Sequence, residues 1–489
     1  MLVAGIDLGT QSIKVLVYDS LEKREVGVSS CPLDLISRPD GSREQKTEWY
    51  LEALRKCFSS IDGEVKKNIE ALSVSGQQHG FVPLGKGGEV LWNVKLWCDT
   101  STAQECSEIE EAFGGRERVI EEVGNPILPG YTASKILWLK KNHRKEYEAM
   151  DYVLLPHDYL NYYLTGEIVM EMGDASGTGL LDIRKGEWHK GMCSVISSDL
   201  LNKLPPVKSG PFILGSVRKE VRDELGLGER VLVASGGGDN MMSAIGTGAV
   251  KDGEMTISLG TSGTLFASSS KPLIDSKGRL AAFSSSHGSY LPLLCTMNCT
   301  VAVETMRKEM ELDVESFMAE AQKAPIGSEG LVMLPFFNGE RVPDFPKGEA
   351  LVGGMNMTNV KRSNIARSAL EGVSFGFLLG LEAFRELSFS PTVISLTGGG
   401  SRSPFWRQMI SDITGVEIRC PKSGEAAAFG AALQALAAME NRSVSEVAEE
   451  HLSFDEDKRA FPDEEKHRKY MEAYEKWKVY CGALTPIFK

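Results

Sequence analysis

The sequence predicts an α/β protein of two domains that share one architecture. Three observations carry this. At 489 residues the chain exceeds the size at which a single hydrophobic core keeps growing. Short apolar runs that end in glycine alternate with longer stretches patterned at helical spacing. The tip DLGTQS at 7–12 returns as SLGTSG at 258–263, about half a chain later. Only three of those six positions are identical, and the match gains its weight from standing at the head of each half.

Residues 3–7 read as a strand, 9–10 as its turn and 13–18 as a second strand. The result is a β-hairpin whose tip carries Asp7, Gly9, Thr10, Gln11 and Ser12. Thr47 reads as the cap of an amphipathic helix with Leu51, Leu54, Phe58 and Ile61 on one face. Residues 71–75 form a strand running into Gly76, Gln77, Gln78, His79 and Gly80, polar side chains between glycines in a site-like loop. A further strand is expected over 95–98. Residues 130–142 suit a helix with a Ser/Thr-rich start and a basic end, and 172–178 a polar, glycine-punctuated loop.

The segment VLVASGGGDN at 231–240 organises the rest. Four apolar strand residues meet Ser235, three glycines and Asp239, and Met241, Met242, Ala244 and Ile245 come next at helical spacing. Asp239 then stands at an N-cap, either as a plain cap or as a carboxylate delivered to a cleft. A boundary in this region divides the chain into 1–245 and 246–489. The second hairpin lies at 254–267, then a long apolar helix at 363–387 and a strand at 392–396 running into TGGGS. Ser403 caps the next helix, Pro404 sits in its first turn and Gly415 ends it; strand, glycines and helix start make an anion-binding geometry. Residues 426–439 form an Ala-rich helix fit for close packing, and the Glu/Lys-rich tail reads as a solvated surface helix.

Composition narrows the partners. A net charge of -13 without a basic run argues against nucleic acid or an anionic membrane. The start MLVAGIDLGT has no basic stretch before its apolar residues, and no apolar run has the length to span a bilayer, so a cytoplasmic protein is expected. Nine cysteines are scattered, and the close pair Cys295 and Cys299 has no second pair or histidine to complete a zinc site.

Glycine-rich turns at 9–12, 260–263 and 398–401 can offer backbone donors to a polyphosphate, although neither the P-loop pattern nor the dinucleotide fingerprint occurs. Asp7 is the first candidate to hold Mg²⁺, its other reading being a turn aspartate bonded to its own backbone. His79 reads equally as a loop histidine with its bonds satisfied. No GxSxG comes after a strand, which disfavours a serine hydrolase, while a glycosidase pair of carboxylates stays open.

These residues together resemble the FGGY carbohydrate kinases. Residues 130–142 (GYTASKILWLKKN) match the first family signature and 350–371 (ALVGGMNMTNVKRSNIARSALE) the second. Within the family the likeness is to kinases of ketopentoses, D-xylulose foremost. It rests on QQHG at 77–80, LPHDYLNYYLTGE at 155–167, GDASGT at 173–178, GGGDN at 236–240, NGERVP at 338–343 and GGGSRSPFWRQMISDITG at 398–415. The resemblance implies two actin-like, ribonuclease H-like domains with a catalytic cleft between them, 1–245 on the sugar side and 246–489 on the nucleotide side. It implies Asp239 as general base, with Gln78, His79, Asp239 and Asn240 on the sugar. Asp7 would serve Mg²⁺, and Thr10, Gln11, Gly260, Thr261, Gly399 and Gly400 the phosphates of ATP. The implied partners are a small-molecule sugar and MgATP, and the assembly it allows is a homodimer. Other acceptors in view are ribulose, gluconate, glycerol and erythritol; further off stand an actin-like ATPase and a non-catalytic sugar sensor. Gln78 stands where the family often has Met, Cys98 where many have Asn, Val342 where Thr is common and Asp344 where His often comes after the proline.

Overall fold

The computed structural model describes all 489 residues, Met1–Lys489. They form two units. The first comprises Met1–Lys251, Ser268–Pro292 and Ser423–Leu452; the second comprises Asp252–Ala267, Leu293–Lys422 and Ser453–Lys489. The division is thus not one cut at 245/246: the main break falls at 251/252, and two later segments rejoin the first unit.

In the first unit the sheet order is Ile213–Ser216, Leu232–Ala234, Ile69–Gly76, Leu2–Leu8, Ser12–Asp19 and Arg24–Pro32, with Gly237–Gly238 also pairing Ile69–Gly76. Leu2–Leu8 runs parallel to Ile69–Gly76 and antiparallel to Ser12–Asp19. Its residues Val3, Ala4, Ile6 and Leu8 are all fully buried, because helices cover both faces. Helix Thr47–Ser59 packs against Ser12–Asp19, and helix Ala426–Glu440 against Leu2–Leu8. The second approach is close enough that a Cβ on Gly5 would lie 1.7 Å from the Ala428 carbonyl oxygen. That fit explains why 423–452 returns to the first unit: its alanines and glycines match a groove that larger side chains would fill.

The second unit repeats the pattern. Glu254–Leu259 is antiparallel to Gly263–Ala267 and parallel to Val393–Thr397, which is parallel to Glu417–Arg419. Residues 293–296 pair antiparallel with the outer side of Gly263–Ala267. The repeated hairpins therefore occupy equivalent central places in two sheets of like topology. Helix Pro404–Thr414 starts and stops where expected: the Ser403 hydroxyl accepts from the Trp406 N–H at 3.3 Å, and Gly415 takes φ +71°.

Local expectations need correction in four places. Lys46 rather than Thr47 is the N-cap, Thr47 being the first helical residue. Of the strand expected over 95–98 only Lys95 is one, as the end of Val94–Lys95. The 172–178 segment is a short helix, Met172–Ala175, with the turn Ser176–Thr178 after it. The tail helix Glu464–Phe488 is amphipathic rather than solvated, with Tyr470, Tyr474, Trp477, Cys481 and Phe488 buried in the second unit. All nine cysteines are free thiols. No helix is long and apolar enough to cross a membrane.

Candidate active site

Three parallel strand ends converge in the first unit. Asp7 lies beside Ser75, and Ser75 beside Gly237; one step on, Leu8, Gly76 and Gly238 make the next row. Carboxyl ends of parallel strands are where open α/β sheets place ligands. The Ser75 hydroxyl donates to Asp7 Oδ1 at 2.9 Å. Asp239 is the first residue of helix Asp239–Thr247, with Gly238 itself the N-cap, so the cap expected of Asp239 is not formed. Instead Asp239 Oδ1 accepts from the Asn240 backbone N–H at 2.8 Å and from Asn240 Nδ2 at 3.0 Å. The preceding glycines are required sterically. A Cβ on Gly237 would come 2.2 Å from Ser286 Oγ, and one on Gly238 2.7 Å from Gln78 Cγ.

The loop after Ile69–Gly76 brings the expected sugar-side residues to this point. Gln78 is buried; its Oε1 accepts from Asn240 Nδ2 at 2.8 Å, and its Nε2 has no partner in the protein. Gln78, Asn240 and Asp239 thus form one hydrogen-bonded chain. His79 adopts φ +63°, a costly region for a residue with a side chain. Its carbonyl accepts from Lys135 Nζ at 2.8 Å and Thr132 Oγ1 at 3.2 Å, both from the start of helix Thr132–Asn142. Its ring lies 4.8 Å from that of Tyr131 and 5.5 Å from that of Phe283. Burial brings the Lys135 ammonium down to about 7.

The electrostatics raise two of these carboxyls. Asp239 is half-buried, and desolvation, then the neighbouring Asp7 and Asp174, push its carboxyl up to about 7. Asp7 rises to about 6 through burial, against the opposing pull of Ser75 and Lys14. Lys14 itself pairs with Glu425 at 2.5 Å. Behind these groups lies a buried polar network whose members no sequence reading assigns to the site. His157 Nδ1 meets Asp174 Oδ2 at 2.6 Å, its Nε2 lies 3.1 Å from Asp158 Oδ1, and Glu171 Oε2 accepts from Ser286 Oγ at 2.8 Å. Burial lifts Asp158 and Glu171 to about 7 each. The motifs HDYL and GDAS hold three of these residues, but only the tertiary fold turns both segments inward.

The raised carboxyl makes activity depend on pH. A carboxylate can accept a proton only when ionised, and the Asp239 proton is held up to about pH 7. The kcat/KM profile is expected to lose activity as pH falls through about 7 rather than through the ordinary carboxylate range near 4. Ionising Asp239 inside the fold also costs stability, a cost that appears above the unfolded value near 4 and grows until pH passes about 7. A pH–rate profile with its acid limb near 4 would remove this account.

The other candidates fall into two sets, one on each unit. On the first hairpin the Thr10 hydroxyl donates to Gln77 Oε1 and accepts from Trp97 Nε1, both at 2.9 Å, so its own unit already engages it. Gln11 is exposed at the tip, and its carbonyl accepts from Leu33 N–H at 2.8 Å. On the second unit the carbonyls of Gly260 and Thr261 are held by the start of helix Thr300–Glu309, with Thr300 N–H 2.9 Å from Gly260 O and Cys299 N–H 3.2 Å from Thr261 O. Gly399 is exposed with no atom within 4 Å of a Cβ placed there, while Gly400 packs on Leu259 and Trp406. Gly260, Thr261, Gly399 and Gly400 therefore share the edge where Glu254–Leu259 and Val393–Thr397 end side by side.

Residues 2–246 match the N-terminal domain of the FGGY family of carbohydrate kinases, and 255–439 match its C-terminal domain. A xylulose kinase from Haemophilus influenzae is 39% identical, the match covering 98% of this chain and 99% of that protein. The crystal structure of a xyloylose kinase from Brucella ovis aligns with TM-score 0.91 at 29% identity, covering 100% of both chains. A gluconate kinase from Lactobacillus acidophilus aligns equally well at TM-score 0.91, covering 100% of this chain and 99% of that one, but at 24% identity it speaks to the fold alone.

Proposed function

This chain belongs to the FGGY family of carbohydrate kinases, and on that premise we propose that it transfers the γ-phosphoryl group of ATP to the terminal hydroxyl of D-xylulose, giving D-xylulose 5-phosphate. The observation that carries the mechanism is the chain Gln78–Asn240–Asp239 beside Asp7. Asp239 accepts the hydroxyl proton as the sugar oxygen attacks phosphorus, and a carboxyl near 7 suits that task at neutral pH. Asn240 fixes one oxygen of that carboxyl and so sets its orientation. The buried, unpartnered Gln78 Nε2 donates to a sugar oxygen, and His79 lines the same loop.

No group of three or more potential protein ligands could cage a metal by itself. The half-buried Asp7 carboxylate nonetheless fits Mg²⁺, which is bound through one or two carboxylates while water and phosphate oxygens complete its shell. When bound there, the ion supplies neutralisation of phosphate charge. Thr10 and Gln11 through their backbone, and Gly260, Thr261, Gly399 and Gly400, are the groups proposed to orient the phosphates. Since the transition state is loose, positioning and charge stabilisation carry most of the acceleration.

A coupled ADP-release assay with MgATP tests the sugar, using D-xylulose, D-ribulose, L-ribulose, glycerol, gluconate and erythritol. Turnover is expected on D-xylulose, with the highest kcat/KM of the set. A higher value on another acceptor would keep the mechanism and trace the change to Gln78. No turnover on any acceptor would restore the readings of a sugar sensor or an actin-like ATPase.

A further inference from the structure

The strand that leads to Asp239 does not reach it by regular pairing. Val233 lies beside Leu72, and Gly237 beside Ser75, so four steps on one strand oppose three on the other. The extra residue is a bulge, a device that re-aims the chain beyond it. Within it Gly236 takes φ +71°, and a Cβ there would lie 2.4 Å from Val74 O.

One side chain closes the gap. Gln434, from helix Ala426–Glu440, is fully buried. Its Oε1 accepts from the Gly236 N–H at 2.9 Å and from Ser73 Oγ at 2.7 Å. Its Nε2 donates to Gly236 O at 2.9 Å and to Ser286 O at 3.2 Å. All four bonds a carboxamide can make are made, two of them to both backbone groups of one residue. The side chain thus imitates a neighbouring strand at the point where the ladder opens.

We propose that Gln434 is a positioning residue for Asp239: by holding Gly236 at N–H and C=O, it fixes the exit angle of the glycine run and hence where the base stands. Nothing in Gln434 touches Asp239, so it acts through the backbone. The proposal rests on the reading of Asp239 as the general base.

The test is a double-mutant cycle on the full chain with MgATP and D-xylulose. Gln434→Leu keeps the approximate volume and removes all four bonds. Expected is a fall in kcat of about tenfold or more with the KM for ATP changed less than about twofold, and almost no further loss when the substitution is added to Asp239→Asn. An unchanged kcat, or the same fractional loss in both backgrounds, would make Gln434 a merely structural amide and overturn the proposal. Should the Leu variant not fold, Gln434→Glu carries the same cycle, since it keeps acceptors for Gly236 N–H and Ser73 but, ionised or protonated, cannot donate to both Gly236 O and Ser286 O. The two failures are separable. Full activity in Asp239→Asn alone overturns the base and this proposal with it, whereas an inactive Asp239→Asn beside a fully active Gln434→Leu overturns only this one.

Discussion

Replacing Asp239 by Asn is expected to lower kcat by at least about a hundredfold while ATP binding stays unchanged. General-base assistance is worth about 10²–10⁴-fold, or roughly 3–5 kcal/mol of barrier. The substitution is nearly isosteric. An amide oxygen at this position can still accept from the Asn240 N–H, so the start of helix Asp239–Thr247 has no reason to move. What disappears is the proposed acceptor for the hydroxyl proton and the negative charge facing Asp7 and Asp174. Relief of that repulsion should, if anything, stabilise the fold. The loss must therefore show in turnover and not in melting temperature. Single-turnover ADP formation together with a nucleotide titration separates the two, and near-full turnover in the variant would end the assignment.

Gly430→Ala is expected to destabilise the protein by about 3 kcal/mol or more, the upper end of what overpacking usually costs. The sign is the informative part. On an exposed helix the same exchange gains about 1 kcal/mol, because glycine is the poorer helix former. Here a Cβ on Gly430 would sit 1.8 Å from the Met242 carbonyl oxygen, and one on Gly246 1.9 Å from that of Ala426. The opposing atoms are backbone, which cannot rotate aside as a side-chain tip can. Helices Asp239–Thr247 and Ala426–Glu440 would have to part, loosening the buried Ala431, Leu433 and Met241 packed in the same unit. The midpoint of urea unfolding measures this. A midpoint equal to or above that of the unaltered protein would show that the helices can yield.

The parts of this site legible in the sequence are those written as local patterns. An apolar run, glycines and then an aspartate mark a strand end that delivers a carboxylate, as at Asp239, and Asp7 sits at a second such end. The Ser403–Pro404–Gly415 helix carries its own start and stop. Long-range partners carry no such mark. His157, Asp158, Glu171 and Asp174 gather because two separate segments turn inward, and nothing in either segment announces the other. Gln434 is hidden by its surroundings, a lone amide among the alanines and other apolar residues of its helix. The tail misleads through composition: its Glu and Lys residues outnumber the aromatic ones, yet Tyr470, Tyr474, Trp477 and Cys481 recur at spacings of four, three and four on one buried face.

The return of 423–452 to the first unit also sets an order of events during synthesis. When Lys251 leaves the ribosome the groove over Gly5 and Gly246 is still uncovered, because the helix that fills it has not been made. The gap to Leu452 is 452 − 251 = 201 residues. At about 5–20 residues per second that is a wait of roughly 10–40 s. Throughout it the nascent chain exposes apolar surface that only its own later sequence can cover, so a polypeptide cut after Lys251 should stay a chaperone client and never become a stable half-enzyme.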